Sequence, residues 1–393
     1  MTTRRQQVYN FDEKINRYNT GSVKYDLCEA YFRERELIPA WVADTDFRSC
    51  KAVEEVLQKG IDQKIYGYAF RGDEYFKAIM GWYQKRHAIE LQKNWVSYCG
   101  GVVAGLVLSL LSFTRPGDKV IIQTPVYNPF SQIVLNNGRQ LVENPLKESL
   151  GCYSMDLEDL ERKIDGKTKM IILCSPHNPV GRVWDKSEIL KVIEFAKKHD
   201  IMVVSDEIHS DLVYEKKFYS MLHFPEIYDN LVVVNAASKT FNIAGLATSY
   251  AIIPNQKNMN RYNETMEMLA TAMPNMFGLR ALEAAYFEGD EYVGELLDYL
   301  KGNYEYIQEF IQREGLKIKV TPMEATFLLW LDFRAYGVSQ EALMKRLNKN
   351  AKVGVQSGQV FSQKLGEGFV RMNIGTQRDV ICEIMQRIAK EFK

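Results

Sequence analysis

Lys239 stands in Asn235-Ala236-Ala237-Ser238-Lys239-Thr240, directly after Leu231-Val232-Val233-Val234, an apolar β-branched run that reads as a buried strand. Ligands of an open α/β sheet sit beyond the carboxyl ends of its strands. A lysine there can form a Schiff base with an aldehyde and, once released, carry protons as a base. Alone, such a lysine is most often a solvated surface residue, so its partners decide the reading. Two further buried runs end in polar groups. Met170–Cys174 leads into Ser175-Pro176-His177-Asn178, and Ile201–Ser205 leads into Asp206-Glu207-Ile208-His209. A carboxylate beneath a pyridine ring keeps the ring nitrogen protonated, and an amide such as Asn178 can donate to a phenolate oxygen. These are the needs of pyridoxal 5'-phosphate acting as an electron sink.

With asparagine, aspartate and lysine in that order after three strands, the chain resembles the fold-type I, aspartate aminotransferase-like family of pyridoxal-phosphate enzymes. The stretches Ser205–Tyr214 and Trp41-Val42-Ala43-Asp44-Thr45-Asp46-Phe47, with the lysine stretch, narrow the resemblance to the MalY/PatB-type carbon–sulfur β-lyases. It covers essentially the whole chain, with the motifs in family order. The resemblance implies an α/β fold: a large domain with a mainly parallel, doubly wound, seven-stranded sheet, and a smaller α+β domain. It implies pyridoxal 5'-phosphate as cofactor, a small amino-acid substrate, and a homodimer whose active site is shared between subunits. It implies Lys239 as the catalytic residue, with Asp206, Asn178, His209 and Ser238 around the cofactor and Tyr127 stacked on its ring. Val102 and Val103 would offer main-chain N–H groups to the phosphate, and Tyr68 would reach the partner subunit's phosphate, with Tyr66 as a rival. Arg371, in Phe369-Val370-Arg371-Met372-Asn373, matches the substrate-carboxylate arginine, with Val42, Ala43, Tyr127 and Asn178 lining the substrate. Each has a plainer alternative: Tyr127 as a core aromatic on the first turn of a helix, His209 as a partner of Asp206 or its loop, Arg371 as a surface residue. Where aminotransferases usually place a phosphate-neutralising arginine, this chain has Ala247.

The activity implied is α,β-elimination of cystathionine or another S-substituted cysteine to a thiol, pyruvate and ammonia. An aminotransferase shares the same first steps, and a cofactor-holding regulatory protein is a third reading. Lys plus Arg equals Asp plus Glu at 50 each, so nothing in the charge balance suggests a nucleic-acid surface. The six cysteines are scattered without a CxxC pair, which argues against zinc and a disulfide scaffold and fits a reducing cytoplasm. Residues 1–7 lack an apolar segment, and no run of about 18 apolar residues occurs, so no membrane is expected.

At 393 residues two domains are expected. The divisions are 1–48, an N-terminal arm with part of the small domain, 49–286, the large cofactor domain, and 287–393, the small domain. Val96–Leu106 reads as strand, glycine turn and helix, an arrangement that can hold an anion on main-chain N–H groups. Strand and helix signals then alternate through Ile253, the pattern of parallel strands with helical crossovers. Residues 9–41 show no periodicity. From Gln256 a long helical stretch meets Pro274, which must kink or restart it, at a turn that the resemblance places at the subunit interface.

Overall fold

The computed structural model describes residues 8–393. Residues 1–7, read above for the lack of an apolar segment, lie outside the described residues. Two compact units are present, and each is described by itself: residues 1–48, 290–323 and 327–393 form one, and residues 49–289 with 324–326 the other.

The larger unit is built on a seven-stranded sheet in the order Val96–Cys99, Ser249–Ile252, Leu231–Asn235, Met202–Asp206, Thr168–Cys174, Lys119–Thr124, Gln140–Pro145. Ser249–Ile252 runs antiparallel to both neighbours, and the remaining pairs are parallel. The central strands are apolar without alternation because both faces are covered. Val120, Ile122, Met170, Ile172, Val204, Val232 and Val234 share one core with Leu106, Phe130, Met259 and Tyr262. Ile121, Ile171, Val203 and Val233, pointing the other way, are equally buried. Each such side chain contributes roughly 1.5–3 kcal/mol on leaving water, which is what holds the strands in register. That register pairs Cys174 with Asp206 and Asp206 with Val234, so three strands finish level. The loops bearing Asn178, Asp206 and Lys239 therefore leave the same edge.

The smaller unit has a four-stranded antiparallel sheet in the order Lys319–Val320, Leu328–Asp332, Phe369–Asn373, Gln356–Ser357, with the helices Asp290–Arg313 and Arg378–Phe392. Residues 9–41, unpatterned in sequence, form two short helices, Val23–Asp26 and Cys28–Phe32, and the strand Ile38–Pro39, which pairs with Val353–Gly354. Among the described residues no helix is long and apolar enough to cross a membrane.

The helical stretch from Gln256 is broken, into Gln256–Met268 and Met276–Glu288. Asn275 caps the second, its side-chain oxygen accepting from the N–H groups of Phe277 and Gly278 at 2.9 and 3.2 Å. Gly278 lets this helix close on the turn that follows Lys239. A Cβ there would overlap Thr248 Oγ1 and lie 2.7 Å from the Leu246 carbonyl oxygen. Gly278→Ala should therefore lower stability by about 1–3 kcal/mol despite the better helix former, read as a drop in the urea midpoint with unchanged slope.

Candidate active site

Asp206 ends its strand with a carboxylate that is only 5% exposed. Among the described residues its one hydrogen bond comes from the Ile208 N–H, at 3.1 Å. Burial pushes its pKa up to about 7, against the Ile208 hydrogen bond and the positive charge of Lys239, which both favour ionisation. Glu207 is likewise pushed up to about 7 by burial, while Ser205 Oγ and the Met221 N–H hold its Oε1 at 3.1 Å each. The alternation of side chains past the strand end separates the two carboxylates.

The neighbouring loops are tied to this edge. The Ser175 N–H donates to the Asp206 carbonyl at 2.9 Å, and the Glu207 N–H to the Val234 carbonyl at 2.9 Å. The Tyr127 N–H donates to the Asn178 carbonyl at 3.1 Å, so the two residues expected at the cofactor and substrate are neighbours. His177 Nε2 lies 2.8 Å from the Pro125 carbonyl, and burial lowers its pKa to about 4, leaving it neutral at pH 7. A neutral imidazole thus joins the Tyr127 and Asn178 loops without adding charge. His209 is buried, and Ser238 and Lys239 are half-buried.

The lysine loop is held at both ends by groups that nothing local in the sequence marks. Asn235 donates to Tyr83 Oη and Ser210 Oγ, each at 3.0 Å. Thr240, next to Lys239, donates to Asp211 Oδ2 at 3.2 Å, and Trp82 Nε1 donates to both Asp211 oxygens at 3.0 and 3.1 Å. Burial works to raise the Asp211 pKa, but His87, Arg86 and Trp82 hold it below the ordinary value. Ser210 and Asp211 therefore fasten the loop bearing Asp206 to the loop bearing Lys239. Trp82 is 129 positions from Asp211, which is why only the fold reveals the link.

Gly101, at φ +149°, opens the helix Val102–Phe113 without any side-chain cap. The N–H groups of its first turn face an end where the helix dipole favours an anion. Val102 is buried and Val103 is 39% exposed, so both belong to that turn as main-chain donors. Ala247 lies in an exposed left-handed turn and its carbonyl accepts from Tyr98 Oη at 3.4 Å. Tyr68 is 94% exposed, with Phe70 at 83% and Ile65 at 76%.

On the smaller unit, Arg371 is 5% exposed, its Nη2 donating to the Trp41 carbonyl at 2.7 Å and its guanidinium lying 4.8 Å from the Phe361 ring centroid. Asn373 Nδ2 donates to the carbonyls of Val42 and Asp44 at 2.6 Å each, so the segment bearing Val42 and Ala43 is fastened to the strand bearing Arg371.

The model of the family described as aminotransferase class I and II matches residues 43–388. The chain belongs to that family. Among curated relatives, the cystathionine beta-lyase PatB of Bacillus subtilis is 38% identical over 386 residues, covering 96% of this chain and 98% of PatB. Cystalysin of Treponema denticola, whose crystal structure contains pyridoxal 5'-phosphate, superposes with a TM-score of 0.94 at 34% identity, covering 98% of this chain and 99% of that one. The pyridoxal-phosphate-bound C-S lyase of Staphylococcus hominis does so at 0.91 and 31%, covering 98% of each. These class I and II relatives share the fold end to end, in agreement with the α/β architecture and family expected from the motifs.

The Asp206 carboxylate gives a pH signature. Its folded pKa of about 7 exceeds the ordinary 3.8, so its contribution to stability is fully present below about pH 4 and is lost as pH rises through 7. Cofactor-free Asp206→Asn should match the wild type near pH 4 and exceed it by on the order of 3 kcal/mol at pH 8, measured by urea unfolding at the two pH values.

Proposed function

We propose that this protein is a pyridoxal-phosphate-dependent carbon–sulfur β-lyase, converting cystathionine or a related S-substituted cysteine to a thiol, pyruvate and ammonia. The observation that carries the reading is the Asp206 carboxylate, buried at a strand end beside Lys239 and accepting from the Ile208 N–H. A protonated pyridine nitrogen is the partner such a group fits, and the uncapped helix N-terminus after Gly101 fits a phosphate. The similarity to PatB and to the Staphylococcus hominis C-S lyase favours elimination as the outcome.

When bound, the cofactor draws electrons from Cα of the attached amino acid, which acidifies its proton and loosens a β-sulfur substituent. The chain's residues do the rest. Asp206 would keep the ring nitrogen protonated, Asn178 would donate to the phenolate oxygen with His209 near it, and Tyr127 would pack on the ring face. The N–H groups of Val102 and Val103, the Ser238 hydroxyl and Tyr68 of a second copy would hold the phosphate. With alanine at 247, its charge rests on these donors and the helix dipole. Arg371 takes the substrate carboxylate through two parallel hydrogen bonds, with Val42, Ala43, Tyr127 and Asn178 around the substrate. Lys239 would anchor the cofactor covalently and, once free, would accept the Cα proton at Nζ. Overall, the S-substituted cysteine and one water would give thiol, pyruvate and ammonia.

Residues 49–286 are the cofactor domain in this reading, and residues 287–393 with 1–48 the small domain. The exposed side chains of Tyr68, Phe70, Ile65 and Met273 support a homodimer, because so much apolar surface is seldom left in water. Six free thiols support a cytoplasmic site of action.

Lys239→Ala should fold yet lose both the bound cofactor's visible absorption and turnover. Wild-type enzyme given cystathionine should release pyruvate without a keto-acid acceptor. A strict requirement for 2-oxoglutarate would make it an aminotransferase instead.

A further inference from the structure

The reading of Arg371 as the carboxylate-binding group leaves open how its guanidinium is kept in the plane that a two-point grip needs. Arginine loses rotamer freedom on binding, and a fork already aimed loses less of it. The contacts that aim this one include the Phe361 ring beneath it and the Trp41 carbonyl at its Nη2. That carbonyl is a fixed point only if Trp41 is fixed.

Trp41 is held from three sides. Its backbone runs between the Ala40 carbonyl, which accepts from the Asn373 N–H at 2.9 Å, and the Val42 carbonyl, which accepts from Asn373 Nδ2. The Trp41 indole stacks on Tyr31 with centroids 4.3 Å apart, and Gln356, the register partner of Arg371, donates to Tyr31 Oη at 2.9 Å. The indole Nε1–H donates to the Lys24 carbonyl at 2.9 Å. Lys24 is itself locked. Its ammonium, 1% exposed, sits 2.8 Å from Asp46 Oδ2, while Arg17 bridges Asp46 at 2.7 Å and Asp44 at 2.8 Å. Lys24 and Asp46 are thus withdrawn from water around residues 41–46, with Arg17 and Asp44 half-buried beside them. Burying such a set is costly, and apolar replacements often match or exceed its contribution to stability. Directional fixing of the segment is what an ionic cluster supplies and a greasy one does not.

We propose that Trp41, through its indole bond to Lys24 and its stack on Tyr31, is a positioning residue for the Arg371 guanidinium, and that the Lys24–Asp46–Arg17–Asp44 cluster anchors it. The proposal rests on Arg371 binding the substrate carboxylate. Its consequence is selective: loss of the anchor weakens only ligands that carry a carboxylate.

The test uses holoenzyme and two ligands without a leaving group, L-alanine and ethylamine, with dissociation constants read from the cofactor's absorption change. Trp41→Phe keeps an aromatic ring and deletes the indole donor. It should weaken alanine about tenfold and leave ethylamine unchanged. Equal weakening of both ligands, or of neither, overturns the proposal. Tyr31 is half exposed, so Tyr31→Leu removes the stack with little risk to folding, and it should shift alanine in the same direction without shifting ethylamine. Arg371→Lys separates the two levels. If it binds alanine as the wild type does, the carboxylate reading and the proposal both fall. If it is defective while Trp41→Phe and Tyr31→Leu are not, the proposal alone falls.

Discussion

A carboxylate at the end of a buried strand is an expensive thing to build, and Asp206 is one. Among the described residues its carboxylate accepts a single N–H, and burial drives the acid toward its neutral form. Ionisation and the arrival of a cation are therefore coupled. Whatever places a positive charge against Asp206 recovers the desolvation cost as binding energy, and the carboxylate in turn keeps that positive charge from losing its proton. The rest of the larger unit can be understood as what is needed to keep this group dry, level with its neighbours and at a fixed distance from Lys239. Register does the levelling, since Cys174 pairs with Asp206 and Asp206 with Val234.

Distance is kept by a second buried acid of opposite character. Asp211 is fully paired, with Trp82 and Thr240 donating and His87 at 3.5 Å, so it stays charged and rigid where Asp206 is left poised. The two acids lie on one short segment and differ only in their surroundings. That contrast separates a carboxylate kept ionised by its partners from one that burial drives toward its neutral form.

The parts legible in the sequence were those set by local pattern. Continuous apolar runs leading to Asn178, Asp206 and Lys239 announced buried strands with polar ends, and the alternating signals through Ile253 announced the helical crossovers, Lys186–His199 among them. Other parts depend on contacts that no local pattern carries. The strand Gln140–Pro145 lies at the sheet edge, half exposed, and its mixed sequence lacks the apolar run that marked its neighbours. Residues 9–41 have no periodicity because their structure comes from outside themselves: Phe11 packs on Phe47 and Tyr292, and Arg17 and Lys24 are fixed by Asp44 and Asp46. Asp211, Asn235 and Thr240 went unnoticed for the same reason, their partners being distant in the chain.

A site that binds an aldehyde and releases thiols faces a chemical hazard from its own cysteines, because thiolates add to aldehydes and exchange with sulfur ligands. Cys174 ends the strand beside Asp206, and Cys99 ends the edge strand just before the glycine turn. Burial pushes both thiols up, Cys99 to about 12, and the charge of Asp206 adds to the shift at Cys174. Cys174 is also occupied, its thiol donating to the Pro176 carbonyl at 3.3 Å while its sulfur accepts from the Asn178 N–H at 3.4 Å. Only thiolate reacts appreciably, so at neutral pH both sulfurs are inert and serve as small packing groups. The carboxylate that waits for a cation thus also suppresses ionisation of the nearest thiol, and one placement of charge serves both ends.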